Sequence, residues 1–467
     1  MLTKPALYTD FYELTMAQGY FLSGNHSQKA GFDYFFRTLP FKGGYVVFAG
    51  LSDLLKALQN LQFHEDEIEY LRKQGFREEF LSYLKAFRFN GNIWSVQEGE
   101  IVFANEPILH VEANIIEAQI IETLILNILN FESLIATKAS RIKQAAQGRP
   151  VLDFGLRRSQ GTGGIQASKA AVIGGIDSTS NVASGYEFDI EVSGTMAHSW
   201  IQFFGDELKA FRTYAEYYPD STTLLVDTYN TLKSGIPNAI KVAKELEEKG
   251  QHLKGVRLDS GDLAYLSRKS RQKLDAEGLD YVKIAASNQL DERVIKSLLE
   301  QKAPIDIFGV GTKLVTAYDD PALDGVYKLS SVNDKPSLKI SENIEKTTLP
   351  GRKKIFRFYN QDGSFNSDGI TLYNQFQIDT IIHPNYPFKT KDVSHLEREE
   401  LLVPVIKNGT LNISIPTAKE SAQFAKKQLM KLNPEHKRFD NPHVYKIGIS
   451  KELQSLQDEL IKKKIEP

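Results

Sequence analysis

Between residues 151 and 311 a series of short apolar runs each end in side chains that bind anions or move protons. Asp153 and Arg157 follow the first run, Ser178 and Ser180 the second, and Ser193, Thr195 and His198 the third. Asp227 with Thr228, Arg257 with Asp259 and Ser260, Ser287 with Asn288, and Gly309, Gly311 and Thr312 close the other four. Arginine presents a planar fork to phosphate or carboxylate, and glycine lets backbone N–H groups approach phosphate oxygens. The chemistry such a set supports is the capture and transfer of small anionic groups.

Individual motifs admit plainer readings. IFGVGTKL (307–314) is either a phosphate cradle or a strand-end turn that needs small residues. In DFGLRRSQGTGG (153–164), Arg157 or Arg158 either clamps an anion or pairs with the acid to steady a loop. In RLDSGD (257–262), Asp262 suits a helix cap, which leaves Arg257 and Asp259 unaccounted for. His198 is the only histidine of nine in this set, and no second His or Cys stands at metal-ligand spacing. A phosphate acceptor or general acid–base role therefore outranks zinc ligation. Asp227, at the end of the next strand, is the expected partner for one ring nitrogen, by the carboxylate–histidine logic of catalytic triads.

Side chains at successive strand ends share one mouth only if the strands run parallel, and parallel strands need helical crossovers. Strands are expected at 151–155, 174–180, 189–194, 222–229, 254–261, 281–287 and 305–311, with helices at 199–218, 237–250, 262–278 and 290–301. The expected fold is α/β: a central irregular parallel barrel of about seven strands over residues 133–327. An N-terminal α+β segment (1–132) and a C-terminal segment (328–467) are expected to pack together as an α+β sandwich. Tyr8–Phe21 reads as helix, 43–51 as a strand entering a helix, and 92–114 as antiparallel sheet. Strands at 328–341 and 353–360 flank a loop at 345–352, and 416–437 reads as a basic helix.

Lys+Arg 57 against Asp+Glu 59 gives a net charge of −2, which excludes a broad basic face for nucleic acid. The absence of cysteine removes disulfides, thiolate nucleophiles, iron–sulfur clusters and zinc ribbons, and fits a reducing, cytoplasmic setting. The N-terminal stretch has no signal-peptide pattern. The most apolar window, 115–131, carries Glu117, Gln119, Glu122, Asn127 and Asn130, and so reads as a buried helix rather than a membrane span.

Taken in order, TDFYELTMAQGYF (9–21), FFRTLPFKGGYVVFAGL (35–51), DFGLRRSQGTGG (153–164), SGTMAHSW (193–200), GVRLDSGDL (255–263), ASNQLDE (286–292), FGVGTKL (308–314) and TLPGRKK (348–354) resemble the nicotinate phosphoribosyltransferases, of the type II phosphoribosyltransferase family. The resemblance implies an ATP-dependent ligase of NAD salvage. It would join nicotinate to 5-phosphoribosyl 1-diphosphate, giving nicotinate mononucleotide and diphosphate, with ATP hydrolysed through a phosphohistidine. It further implies Mg²⁺ carried by diphosphate and ATP rather than by a protein cage, and a homodimer with shared active sites.

By the same resemblance His198 is the phosphohistidine and Asp227 the carboxylate that orients it. Tyr12 stacks on the pyridine ring from the second subunit, with Phe154 as the opposite wall. Arg157 and Arg257 lie near the ring, Thr195 contacts nicotinate, and Ser180, or Ser178 in a shifted loop register, selects carboxylate over carboxamide. Asp259 contacts ribose, while Ser287, Asn288, Gly311 and Thr312 hold the sugar and its 5-phosphate. Arg352, Lys353 and Lys354 form a basic loop that meets diphosphate or nucleotide phosphates.

Four other readings make different demands. A nicotinamide-preferring relative calls for an acid at position 180, where this chain has serine. A quinolinate-type decarboxylating enzyme has no use for an ATP-linked histidine. A sugar-phosphate isomerase or aldolase needs a buried lysine or glutamate base, and Lys313 is the only nearby lysine. A non-enzymatic barrel that binds metabolites or scaffolds would have lost the polar strand ends that are present here.

Overall fold

The computed structural model describes residues 4–341 and 346–465, so Glu345 of the expected 345–352 loop lies outside the described residues. The chain divides into two compact units, Met1–Leu134 with Ala322–Pro467, and Ile135–Pro321.

The Ile135–Pro321 unit is built on six strands: Val151–Asp153 (β1), Ser178–Thr179 (β2), Thr223–Leu225 (β3), Gly255–Leu258 (β4), Lys283–Ser287 (β5) and Ile307–Val310 (β6). Every pairing is parallel, in the order β2-β1-β6-β5-β4-β3. Except for β2 and β3, which form the two edges, sequence neighbours are sheet neighbours, and the last strand returns to pair with the first. The expected strand at 189–194 contributes a single parallel bridge, Thr179 to Val192.

The crossovers are amphipathic helices whose starts can be read from capping residues. Asp262 accepts the Tyr265 N–H at 2.9 Å ahead of helix Leu263–Ala276, and Asp291 accepts the Val294 N–H at 2.7 Å ahead of Glu292–Glu300. The single helix expected at 199–218 is two, His198–Phe204 and Glu207–Tyr217. Gly205, at φ 66°, ends the first in the left-handed region, and the Asp206 side chain caps the second. Leu224, Leu225, Val256, Leu258 and Ile284 from the strands pack with Ile201, Phe211, Val242, Leu246 and Leu274 from the helices. Each such buried aliphatic side chain contributes roughly 1.5–3 kcal/mol. At Gly235 a Cβ would lie 1.8 Å from the Val226 carbonyl oxygen, so only glycine lets the following helix, Ile236–Glu247, close onto the end of β3.

The other unit draws on both ends of the chain. One antiparallel sheet orders the strands 335–336, 325–332, 29–36, 109–114, 92–95, 403–407 and 410–411, so three N-terminal strands form its centre and C-terminal strands flank them on both sides. A second sheet is made wholly from C-terminal strands, among them Lys353–Tyr359 and Phe365–Leu372. Helices Ile115–Ile120 and Glu122–Ala145 cover the apolar window: Ile116, Ile120, Ile121, Ile125 and Leu129 are all buried. Asn127 is exposed, and the other polar residues of that window have partners inside the unit. The amide of Gln119 donates to both Glu13 and Glu122, the latter at 3.0 Å.

Burial, and after it the charge of Glu13, pushes the Glu122 carboxyl up to about 7 from an ordinary 4.5. Because the folded value lies above the unfolded one, the bound proton stabilises the fold fully below pH 4.5, and that contribution is lost as pH rises through 7. Replacing Glu122 by Gln should therefore flatten the fall in melting temperature between about pH 5 and pH 8. Melting curves that fall equally in both proteins would contradict this.

Candidate active site

Arg257 organises the carboxyl ends of the parallel strands. It lies in β4, and its Nε donates to Ser287 Oγ at the end of β5, 2.8 Å away. One terminal nitrogen donates to Thr195 Oγ1 and the other to Asp259 Oδ1, each at 2.8 Å. The guanidinium carbon sits 5.3 Å from the centroid of the Phe154 ring, which follows β1. Arg257 and Asp259 come together because residues two apart on an extended chain share a face. Ser287 arrives through the register that sets Ala285 beside Arg257 and Ala286 beside Leu258. Burial works to raise the Asp259 carboxyl, but the hydrogen bond from Ser287 and the charge of Arg257 outweigh it and hold the group below its usual range. Asp259 is therefore a carboxylate at neutral pH.

His198 opens helix His198–Phe204. Its Nδ1 lies 3.0 Å from Thr228 Oγ1, and its Nε2 lies 3.7 Å from Asp259 Oδ2. The expected Asp227 partner is engaged elsewhere: Asp227 Oδ2 accepts the Asp259 N–H at 2.8 Å and the Ser260 hydroxyl at 2.6 Å. The correction has a simple cause, since two adjacent side chains past β3 serve two different neighbours, the carboxylate holding the β4 turn and the hydroxyl meeting the imidazole. Sequence reading passed over Thr228 in this role because a lone hydroxyl at a strand end carries little signal; its adjacency to Asp227 was the available clue.

Asp153 is buried and saturated. It accepts from the Gly155 N–H at 2.8 Å and from the hydroxyls of Ser168 and Thr179, each at 2.7 Å. It pins the ends of β1 and β2 together and makes no ion pair with Arg157 or Arg158. Both arginines are exposed in the short turn Leu156–Arg158, and Arg157 has no partner among the described residues. The ring of Phe154 requires Gly309, where a Cβ would come within 2.5 Å of it. Gly311 precedes the turn Thr312–Val315 and faces the Phe154 carbonyl. Ser178 is buried inside β2, whereas Ser180 lies just past it and donates its N–H to the Asp153 carbonyl at 2.8 Å. Asn288, at φ 81°, turns the chain sharply after β5. Lys313 is held by Asp291, which disposes of it as a free Schiff-base lysine.

The remaining candidates lie in the other unit. Tyr12 is about half exposed on helix Phe11–Leu22. Arg352, Lys353 and Lys354 are not an open basic loop: the lysines begin strand Lys353–Tyr359 and are buried. Lys353 Nζ lies 2.8 Å from Asp33 Oδ2, and Asp33 also meets His110 Nδ1 at 2.7 Å. Lys354 pairs with Glu400 at 3.0 Å. Arg352 is sandwiched between Trp94 and Tyr373, 3.8 and 3.4 Å from their ring centroids. Alternation along a strand turns these long side chains toward internal acids and aromatic rings.

Three family profiles match the chain: the nicotinate phosphoribosyltransferase N-terminal domain over residues 7–130, the nicotinate phosphoribosyltransferase family over 150–383, and its C-terminal domain over 352–457. A nicotinate phosphoribosyltransferase of Bacillus subtilis is 44% identical over 96% of this chain and 94% of its own length. The chain belongs to the nicotinate phosphoribosyltransferase family. The crystal structure of human nicotinic acid phosphoribosyltransferase superimposes with a TM-score of 0.86 at 29% identity, over 97% of this chain and 99% of that one. A Pyrococcus furiosus structure described as nicotinate-nucleotide pyrophosphorylase gives 0.72 at 27% identity, over 91% and 94%.

Within this nicotinate phosphoribosyltransferase framework, Arg257, Asp259, Thr195, Ser287, Phe154 and His198 form one connected group. Lys353 belongs to a buried ion pair instead. Replacing Lys353 by Met leaves the buried Asp33 with His110 as its remaining charged partner and should destabilise the fold by about 3 kcal/mol, read as a lower melting temperature. A stable Lys353→Met protein whose only defect is weaker binding of 5-phosphoribosyl 1-diphosphate would return Lys353 to the substrate site.

Proposed function

We propose that this protein joins nicotinate to 5-phosphoribosyl 1-diphosphate, releasing nicotinate mononucleotide and diphosphate, with ATP hydrolysis coupled through phosphorylation of His198. The observation that carries this reading is the Arg257 group set against Phe154: a fixed cation beside an aromatic wall suits a planar pyridine carboxylate. The fold is read more finely as a parallel barrel, because chain order is kept around the sheet and β6 rejoins β1. The first and last segments of the chain then form an α+β sandwich.

The pyridine nitrogen carries its own lone pair, so transfer needs positioning more than a base. The new bond runs from that nitrogen to C1 of the ribose, and the C1–oxygen bond to diphosphate breaks, the pair leaving with the oxygen. Stacking nicotinate on Phe154, with Tyr12 of a second subunit as the other wall, supplies a proximity effect that can be worth ~7 kcal/mol or more. Arg257 and the unpaired Arg157 hold the carboxylate. Asp259 faces the ribose hydroxyls, and Ser287, Asn288, Gly311 and Thr312 hold the sugar and its 5-phosphate.

For the ATP half, His198 Nε2 attacks the γ-phosphorus. The N–P bond forms, the bond to the ADP oxygen breaks, and water later cleaves the N–P bond to release phosphate. Among the described residues no cluster of three acidic or histidine side chains could hold a metal. Asp227 Oδ1 has no hydrogen-bond partner among the described residues, which fits a Mg²⁺ delivered by the substrate phosphates. That ion would neutralise charge on the leaving diphosphate, with Asp227 and Asp259 as its protein-side neighbours. The setting inferred is the cytoplasm, as a homodimer with shared sites.

Nicotinate mononucleotide formation, assayed with and without ATP, tests the reading directly. His198→Ala should abolish ATP hydrolysis and acid-labile phosphate incorporation; undiminished incorporation would remove His198 from the mechanism. Nicotinate should be strongly preferred to nicotinamide, and Ser180→Asp should narrow that preference by ~10-fold or more, since a carboxylate repels nicotinate and accepts from an amide. An unchanged preference in Ser180→Asp would place the selecting residue elsewhere.

A further inference from the structure

The structure assigns to Thr228 the positioning of the His198 imidazole, an inference that rests on the phosphohistidine reading above. His198 is the first residue of a seven-residue helix, with 39% of its side chain exposed, so packing alone leaves its ring free to turn. The only hydrogen-bond partner the ring has among the described residues is Thr228 Oγ1, 3.0 Å from Nδ1. Asp259, at 3.7 Å from Nε2, is beyond hydrogen-bond reach. Asp227 is committed to the Asp259 N–H and the Ser260 hydroxyl.

A nucleophilic Nε2 needs its lone pair free, so the ring proton must sit on Nδ1. In that tautomer the N–H donates to Thr228 Oγ1, 3.0 Å away, and the contact fixes the plane of the ring. A hydroxyl does so without the negative charge by which a carboxylate would also stabilise imidazolium. Threonine suits the task because branching at Cβ restricts χ1 and so fixes the oxygen. Its backbone is set in turn by the sheet: the Val226 N–H donates to the Arg257 carbonyl at 3.2 Å, and Gly235 closes against the Val226 carbonyl. The consecutive pair Asp227 and Thr228 thus aligns two groups together, Asp259 through the β4 turn and His198 through its ring.

The test compares Thr228→Val, which keeps the shape and loses the hydroxyl, with Thr228→Ser, which keeps the hydroxyl. Acid-labile phosphate from γ-labelled ATP is followed by rapid quench on the full-length protein, beside steady-state ATP hydrolysis and thermal melting. Thr228→Val should lower the phosphorylation rate and kcat for ATP by roughly 10–100-fold, as loss of a group that orients a reacting ligand does, with KM for ATP and melting temperature nearly unchanged. Thr228→Ser should restore most of the rate. Phosphorylation of Thr228→Val at the unmodified rate overturns the assignment, as does a Ser variant as slow as the Val variant. Absence of label from the unmodified protein would instead overturn the phosphohistidine reading beneath it.

Discussion

The arrangement of the site depends on one side chain, the Arg257 guanidinium, and on what it costs to bring that group out of water. A partly buried cation must be matched by acceptors, and Arg257 has three, Ser287, Thr195 and Asp259, with an aromatic face beside it. Each acceptor comes from a different stretch of chain, so meeting the needs of one guanidinium fixes the end of β5, the loop before His198 and the turn after β4 relative to one another. The same contacts keep Asp259 ionised despite its burial. Positioning and electrostatics are here one constraint.

Parallel pairing makes that convergence possible. In a parallel sheet the strand ends that face one way all belong to the same chain direction, so short apolar strands deliver their terminal polar residues to one side. Places where the chain tolerates only glycine reinforce this. Gly235 lets a helix close on the end of β3, and Gly309 makes room for the Phe154 ring. Each sets where a group at the strand ends can sit.

The unit formed by the two ends of the chain follows a different logic. Its basic segment at 352–354 shows how sequence context can mislead. Read as a run, Arg352, Lys353 and Lys354 suggest a cationic loop. As parts of a strand entry they are distributed among Asp33, Glu400, Trp94 and Tyr373, because alternating side chains of one strand face two different environments. Charge density along a sequence carries no information about where the neutralising acids lie when those acids are tens to hundreds of residues away.

Much was legible from the chain alone. Alternation of apolar strands with amphipathic helices specified a parallel α/β unit. The capping role of Asp262 was local and therefore readable, and the polar strand ends named nearly every member of the Arg257 group. These are short-range properties, set by periodicity and backbone chemistry within a few residues. What only the tertiary structure decided were the pairings: Thr228 rather than Asp227 at the His198 ring, Asp153 tied to Ser168 and Thr179 rather than to Arg157, and the lysines at 353 and 354 turned inward. Sequence constrains which side chains reach the end of a strand. Which of two adjacent side chains meets a given neighbour depends on register between strands and on competition for hydrogen bonds, and those are settled only when the distant segments pack.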